Sequence, residues 1–169
     1  MHIRPMTPSD GDRVVEIYGR AIKSGHATFQ EDPGTWESWD QGHLPECRLV
    51  ACDDNDMVIG WAGLSGVSNR CVYRGIAEIS VYVDPDCQGQ GVGKSLLAAL
   101  IKSSEEHGIW SLEAGIFPEN EASIALHQSL GFETVGRKRG LGRMGYGPMA
   151  GLWRDVMLLQ RRSQVVGVN

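Results

Sequence analysis

Apolar positions along the chain switch between a helical and an alternating period, and the switches mark its elements. Ile3 and Arg4 begin a short strand that Pro5 ends. Thr7-Pro8-Ser9-Asp10 then reads as a helix start, with Thr7 as cap and Pro8 in the first turn. Val14, Val15, Ile17, Tyr18, Ala21 and Ile22 follow at helical spacing. A loop carrying His26 to Gln30 leads to a second short helix at about 35–43, with Trp36 and Trp39. Strands are predicted at 49–52 and 57–65, joined as a hairpin by Asp53-Asp54-Asn55-Asp56. A third strand of this group covers about 75–83 and stops at Asp84-Pro85. Leu96, Leu97, Leu100 and Ile101 mark a helix from 91 or 92 to about 107, with Gly108 as its stop. A strand at 111–117, a helix at 121–130 and a strand opening at Gly131-Phe132 come next. Trp153 to Leu159 is expected to close the sheet. The order is that of a mixed α/β domain.

Length and composition narrow this only slightly. The chain has 169 residues and a formal net charge of −5, with 41% hydrophobic and 22% charged residues. That is one ordinary globular domain, expected over 1–162 with 163–169 as a flexible tail. The mild acidity offers no electrostatic reason for nucleic-acid or anionic-membrane binding. No stretch approaches the roughly 18 apolar residues of a membrane span, so a cytoplasmic location is expected. Cys47, Cys52, Cys71 and Cys87 form no Cys-x-x-Cys pair and have no nearby His at metal spacing, so reduced thiols and no metal are expected.

Glycine changes the picture. Its 22 copies cluster at 89–93 and again between 136 and 151. The first cluster follows a strand and opens a helix: Val81-Tyr82-Val83-Asp84-Pro85-Asp86-Cys87-Gln88-Gly89-Gln90-Gly91-Val92-Gly93-Lys94. Free amides and the helix dipole at such a start suit an anionic phosphate, and glycines let the backbone approach it. A P-loop would need glycine where Gln88 stands. The dinucleotide fingerprint would need it at Lys94 or Leu96. Both fail on spacing.

Gln88-x-x-Gly91-x-Gly93, followed by Asn120-x-x-Ser123 and then Leu126-His127-Gln128-Ser129-Leu130-Gly131-Phe132, resembles the GNAT superfamily of N-acetyltransferases. Within it the chain is similar to the phosphinothricin and methionine sulfoximine/sulfone branch, through 77–83, 120–124, Leu126-His127, Ile17-Tyr18, Tyr73-Arg74-Gly75, Trp153-x-Asp155 and Gln160. The resemblance spans about 3–160 and departs at 136–151. It implies the GNAT fold, a twisted mixed sheet of about six or seven strands flanked by about four helices, and acetyl-CoA as cosubstrate. Val81, Tyr82 and Val83 would pair through backbone with the pantetheine arm. Gln88, Gly89, Gln90, Gly91, Val92, Gly93 and Lys94 would cradle the pyrophosphate, and Asn120 and Ser123 would lie by the arm.

Strand alternation places Glu78, Ser80 and Tyr82 on one face, opposite Ile79, Val81 and Val83. A carboxylate in so apolar a strand is either a base for the acceptor ammonium or a partner of Arg70 or Arg74. The resemblance puts the base here. His127 is a structural residue or a group near the CoA sulfur, donating a proton to the thiolate or only hydrogen-bonding it. Glu113 reads as a solvated strand face, and Arg137, Lys138, Arg139 and Arg143 as a solvated loop. Trp36, Trp39 and Trp153 read as core or interface. Phe29, Arg70, Tyr73 and Arg74 match positions that hold the acceptor in the branch, where an arginine fork suits an α-carboxylate. The expected reaction is direct acetyl transfer to the α-amine of a glutamate or methionine analogue, with a detoxification role and a homodimer. Other amine acceptors (a polyamine, an antibiotic, a protein N-terminus) and a non-catalytic CoA sensor are the alternatives.

Overall fold

The computed structural model describes residues 1–169. Strands β1 (His2–Pro5), β2 (Leu49–Cys52), β3 (Val58–Gly66), β4 (Ile76–Val83), β5 (Ser111–Ile116), β6 (Glu133–Arg143) and β7 (Trp153–Arg162) form one sheet. Helices α1 (Gly11–Ile22), α2 (Trp36–Gly42), α3 (Val92–Glu106) and α4 (Glu121–Ser129) accompany it. No helix is long and apolar enough to cross a membrane.

The strand order is β1-β2-β3-β4-β5-β7-β6. All neighbours are antiparallel except β4 and β5, which α3 connects in parallel. Two expectations need correction here. The last strand does not close the sheet: β7 inserts between β5 and β6, leaving β6 on the edge. And 137–143 is not a loop but part of that edge strand, whose side chains are almost all exposed. An edge strand that buries neither face needs no apolar alternation, so its Arg/Gly composition hides it. Trp153 is also not core, being 67% exposed.

The first helix begins later than the Thr7 signal suggests. Pro8–Asp10 forms a 3-10 turn, and α1 starts at Gly11. Asp10 accepts from the Thr7 amide at 2.8 Å and takes both arms of the Arg4 guanidinium at 2.9 Å, tying β1 to this turn. Beyond β7, the Ser163 amide donates to the Trp110 carbonyl at 2.8 Å, and Arg162 donates to the carbonyls of Val166 and Gly167. The end of the chain, expected above to be loose, carries these contacts.

The sheet is covered on both faces. Leu96, Leu97 and Leu100 of α3 pack on Ala62, Leu64, Ala77, Ile79 and Leu112. On the opposite face Val14, Ile17 and Ile22 of α1 and Trp39 of α2 pack on Val50, Cys52 and Trp61. Burial from both sides explains why β3 reads as a continuous apolar run rather than an alternating one.

The end of β4 is fastened from below. Asp84, 2% exposed, accepts from Arg13 and Arg20 of α1 and from the Asp86 amide. Burial pushes its carboxyl up, but those hydrogen bonds and the two guanidinium charges overcome this and hold it below the usual aspartate range. The stabilisation is therefore complete above the unfolded-state value near 4 and is lost as pH falls through the lower folded value. Asp84→Asn is expected to cost about 2 kcal/mol at pH 7, by leaving two arginines short of an acceptor. Urea titrations should show the difference shrinking in acid below about pH 4.

Candidate active site

The sheet opens at its centre. β4 and β5 pair only through Ile76, Ala77 and Glu78 with Ser111, Leu112 and Glu113. From Ile79 to Val83, β4 keeps β3 on one side and has no strand on the other. The backbone groups on that free edge, which includes Val81, Tyr82 and Val83, need partners that a ligand with amides can supply.

The glycine turn stands at the end of this edge. Gly89 and Gly91 adopt φ of +75° and +79°, and a Cβ at either would meet nothing within 4 Å. Gly91 caps α3 with no side-chain hydrogen bond, so the amides of Val92, Gly93 and Lys94 have no acceptor within the helix. Val92 is 2% exposed and anchors the turn in the core, while Gln88, Gln90 and Lys94 face solvent. This is an uncapped positive helix end behind open glycines, which fits a diphosphate. A Cβ on Gly93 would lie 3.6 Å from both Val83 of β4 and Leu126 of α4. Edge, turn and α4 therefore meet at one point.

Asn120 caps α4, its Oδ1 accepting from the Ser123 amide at 3.2 Å. One turn further on, His127 is 6% exposed and its Nδ1 lies 2.6 Å from the Ser123 carbonyl. A carbonyl only accepts, so Nδ1 carries the proton and Nε2 the lone pair. Burial lowers the imidazole's pKa and the backbone bond offsets this only in part. His127 is thus a neutral ring with a bare Nε2.

On the face away from α3, a cavity of about 250 Å³ straddles the gap. Glu78, Ser80 and Tyr82 of β4 form one bank; Glu113 and Gly115 of β5, with Phe117 just beyond, form the other. Phe29, Leu141, Val156 and Leu158 supply apolar wall, and Thr28 and Lys138 supply polar groups. Glu78 and Glu113 are register partners on adjacent strands. Solvent reaches Glu78 through the cavity mouth, but protein crowds its other sides. Burial first, and then the neighbouring Glu113 charge, push its carboxyl above the usual glutamate range, with Lys138 pulling the other way. Glu78 makes no ion pair, with Arg70 or Arg74 or otherwise.

A chain with this gapped sheet, uncapped glycine turn and carboxylate-lined cavity also matches a family model, the Acetyltransferase (GNAT) family, over residues 12–132. The chain belongs to the GNAT acetyltransferase family. It is 35% identical over 148 residues to a putative phosphinothricin acetyltransferase, YwnH, of Bacillus subtilis, covering 85% of this chain and 91% of that one. It is 32% identical over 163 residues to the L-methionine sulfoximine/L-methionine sulfone acetyltransferase of Pseudomonas aeruginosa PAO1, covering 94% and 92%. Among solved structures, the GNAT superfamily phosphinothricin acetyltransferase of Sinorhizobium meliloti in complex with AcCoA superposes with a TM-score of 0.86, at 30% identity over 99% of this chain and 91% of that one. This GNAT protein is an N-acetyltransferase with acetyl-CoA as cosubstrate.

Of the acceptor residues expected from sequence, only Phe29 faces the cavity, edge-on to Phe117 at 5.0 Å. Arg70, Tyr73 and Arg74 lie in and beside the 3-10 turn Cys71–Tyr73 before β4, exposed and outside the cavity walls, with Arg70 stacked on Tyr73. Conversely, Glu113 and Lys138 line the cavity although the sequence reads them as solvated. Their signal was parity: each shares a face with known cavity residues once the strand register is given. Pairing of β1 with β2 also brings His2, Cys52 and Asp56 within 4.8 Å of one another, which sequence spacing does not show. Arg4 stands 4.0 Å from Asp56 and already supplies positive charge there.

The second glycine cluster shapes the same cavity from behind. Tyr146 donates to the Thr28 carbonyl at 2.8 Å. Gly147 packs against Gly25, where a Cβ would come within 3.2 Å of the Gly25 Cα. Arg154, 2% exposed, donates to the Gly25 carbonyl at 2.8 Å and lies 3.6 Å over the Phe117 ring. The turn between β6 and β7 thereby holds the loop that presents Thr28 and Phe29.

Proposed function

We propose that this GNAT enzyme acetylates the α-amino group of a small amino acid or amino-acid analogue, of the methionine sulfone, methionine sulfoximine or phosphinothricin type. The unpaired carboxylate of Glu78 in a cavity of about 250 Å³, large enough for one amino acid, is the observation that carries this reading. The names of the relatives point to the same acceptors.

Roles follow from the chemistry each atom offers. Bound acetyl-CoA supplies a thioester; the free edge at Val81 to Val83 would take its amide-bearing arm, and the turn at 88–94 its diphosphate. Asn120 keeps its side-chain NH₂ for the arm while its oxygen caps α4. Glu78 takes a proton from the acceptor ammonium, and the freed amine attacks the thioester carbonyl. The new N–C bond forms as the C–S bond breaks, and the thiolate leaves to gain a proton. With its proton on Nδ1, His127 offers Nε2 as an acceptor, which suits orienting a donor N–H or S–H rather than supplying a proton. We read it as a positioning group.

A detoxification role follows from such acceptors. A homodimer is the assembly implied by the resemblance, and the exposed Val135, Leu152 and Trp153 along the β6–β7 edge are the apolar surface that would support it. Release of free CoA, measured across methionine sulfone, methionine sulfoximine, phosphinothricin, diamines and a peptide with a free N-terminus, tests the acceptor. Saturable turnover is expected with amino-acid analogues. Turnover confined to diamines or peptides would discard the acceptor reading and leave the family unchanged.

A further inference from the structure

We infer that His2, Cys52 and Asp56 form a zinc site that clamps the edge strand β1 to the β2–β3 hairpin. The site stands at the far end of the sheet, three strands along from β4, and is independent of the acceptor reading above. β1 pairs with β2 alone, through four residues. His2 and Cys52 are register partners in that pairing, so their side chains share a face. The hairpin turn then returns Asp56 to the same spot. One ligand atom from each of the three residues lies within 4.8 Å of the other two, and His2 Nε2 stands 3.3 Å from Asp56 Oδ1. That is longer than a charge-assisted hydrogen bond of about 2.7–2.9 Å. It matches the edge of a zinc tetrahedron, where bonds of about 2.0–2.2 Å set nitrogen and oxygen about 3.3–3.5 Å apart.

The donor set selects the metal. Imidazole, thiolate and carboxylate together suit zinc, whereas calcium and magnesium take oxygen ligands. The charges also balance. Zn²⁺ with one thiolate and one carboxylate is neutral, so the fully buried Cys52 ionises without becoming an unpaired buried charge, its proton passing to solvent. Arg4 does not take the metal's place. Both its Nη atoms bond Asp10 at 2.9 Å, which neutralises it, and its Nε stops 4.0 Å from Asp56. The side chains of His2 and Asp56 are 54% and 71% exposed, which gives the ion an entry path and leaves the fourth position to water. The other close Cys–His pair lacks these features. Cys47 Sγ lies 3.7 Å from His107 Nδ1, but that nitrogen already faces the Ser103 carbonyl at 2.8 Å, and no third ligand joins them.

The test uses the full chain without added histidines. Calorimetric titration with Zn²⁺ should give one site with a Kd on the order of 1 μM, weaker than four-ligand structural sites. Mg²⁺ and Ca²⁺ at the same concentrations should give none. Zinc at about a hundredfold excess over that Kd should raise the melting temperature by about 5 °C or more. Co²⁺ in its place should show a sulfur-to-metal charge-transfer band in the near ultraviolet, which Cys52→Ala loses. His2→Ala and Asp56→Asn change exposed side chains, so the fold is kept, and each should weaken zinc by at least about 100-fold. His2→Ala should also lose the cobalt band although every cysteine remains. Asp54→Asn removes an equal charge from the same hairpin and should leave the Kd within about twofold, since an exposed charge outside the ligand set contributes little. Absence of stoichiometric zinc binding in the wild type overturns the site. So does undiminished binding in His2→Ala, or a loss in Asp54→Asn equal to that in Asp56→Asn.

Discussion

Glu78→Gln lowers kcat at neutral pH by about 100-fold, the contribution of one positioned general base, with the KM for acetyl-CoA within about twofold of wild type. Glutamine keeps the shape of the side chain but cannot accept the ammonium's proton. The pH profile is the sharper readout. A base works as its carboxylate, so the wild-type rate rises with pH through the Glu78 pKa, which burial and the Glu113 charge hold above the usual glutamate range. That limb should vanish in Glu78→Gln, leaving only the limb set by the acceptor amine itself. Glu113→Gln should retain the limb but move it to lower pH, since a neighbouring negative charge is removed. A Glu78→Gln profile that overlays the wild type at reduced amplitude would take the base role away from Glu78.

Arg154→Ala is expected to destabilise the fold by about 3 kcal/mol, combining a cavity with an unpaired Gly25 carbonyl. For a chain of this length that is a fall of about 10 °C in melting temperature. Arg154 lies between two functions: its guanidinium covers Phe117, and its Nη1 holds the loop that carries Thr28 and Phe29. Arg154→Met separates them. Methionine refills most of the volume and spares the buried charge, whose Nε has no partner, so much of the stability should return. It cannot hydrogen-bond Gly25. The acceptor KM should therefore stay raised by about tenfold, the value of one lost buried hydrogen bond, while the KM for acetyl-CoA is unchanged. Recovery of both stability and acceptor KM in Arg154→Met would show that the loop is held by packing alone.

These two predictions differ in how far the sequence foretells them. Glu78 stands out in one dimension, a charge inside Ala77-Glu78-Ile79-Ser80-Val81, and period-two alternation already assigns its face. Nothing local marks Arg154. Its neighbours Gly25, Phe117 and Glu119 come from three separate segments, and only the folded chain reveals a buried guanidinium among them. The arginines before β4 show the reverse error. Arg70 and Arg74 are close to Glu78 in sequence, yet their turn lies outside the cavity walls, and Lys138, 60 positions further along than Glu78, faces it instead.

The sequence alone determined the element order, both phosphate exclusions, the glycine turn that opens α3 and the face of Glu78, because helical and strand periods, φ-permissive glycines and uncapped helix starts are local properties of a few neighbouring residues. Only the tertiary structure decided that β7 lies between β5 and β6, that Glu113 stands beside Glu78, and that Lys138 rather than Arg74 lines the cavity. Those depend on strand order and register, which are set by burial summed over the whole sheet. An exposed edge strand such as β6 leaves almost no trace of that sum in its own residues.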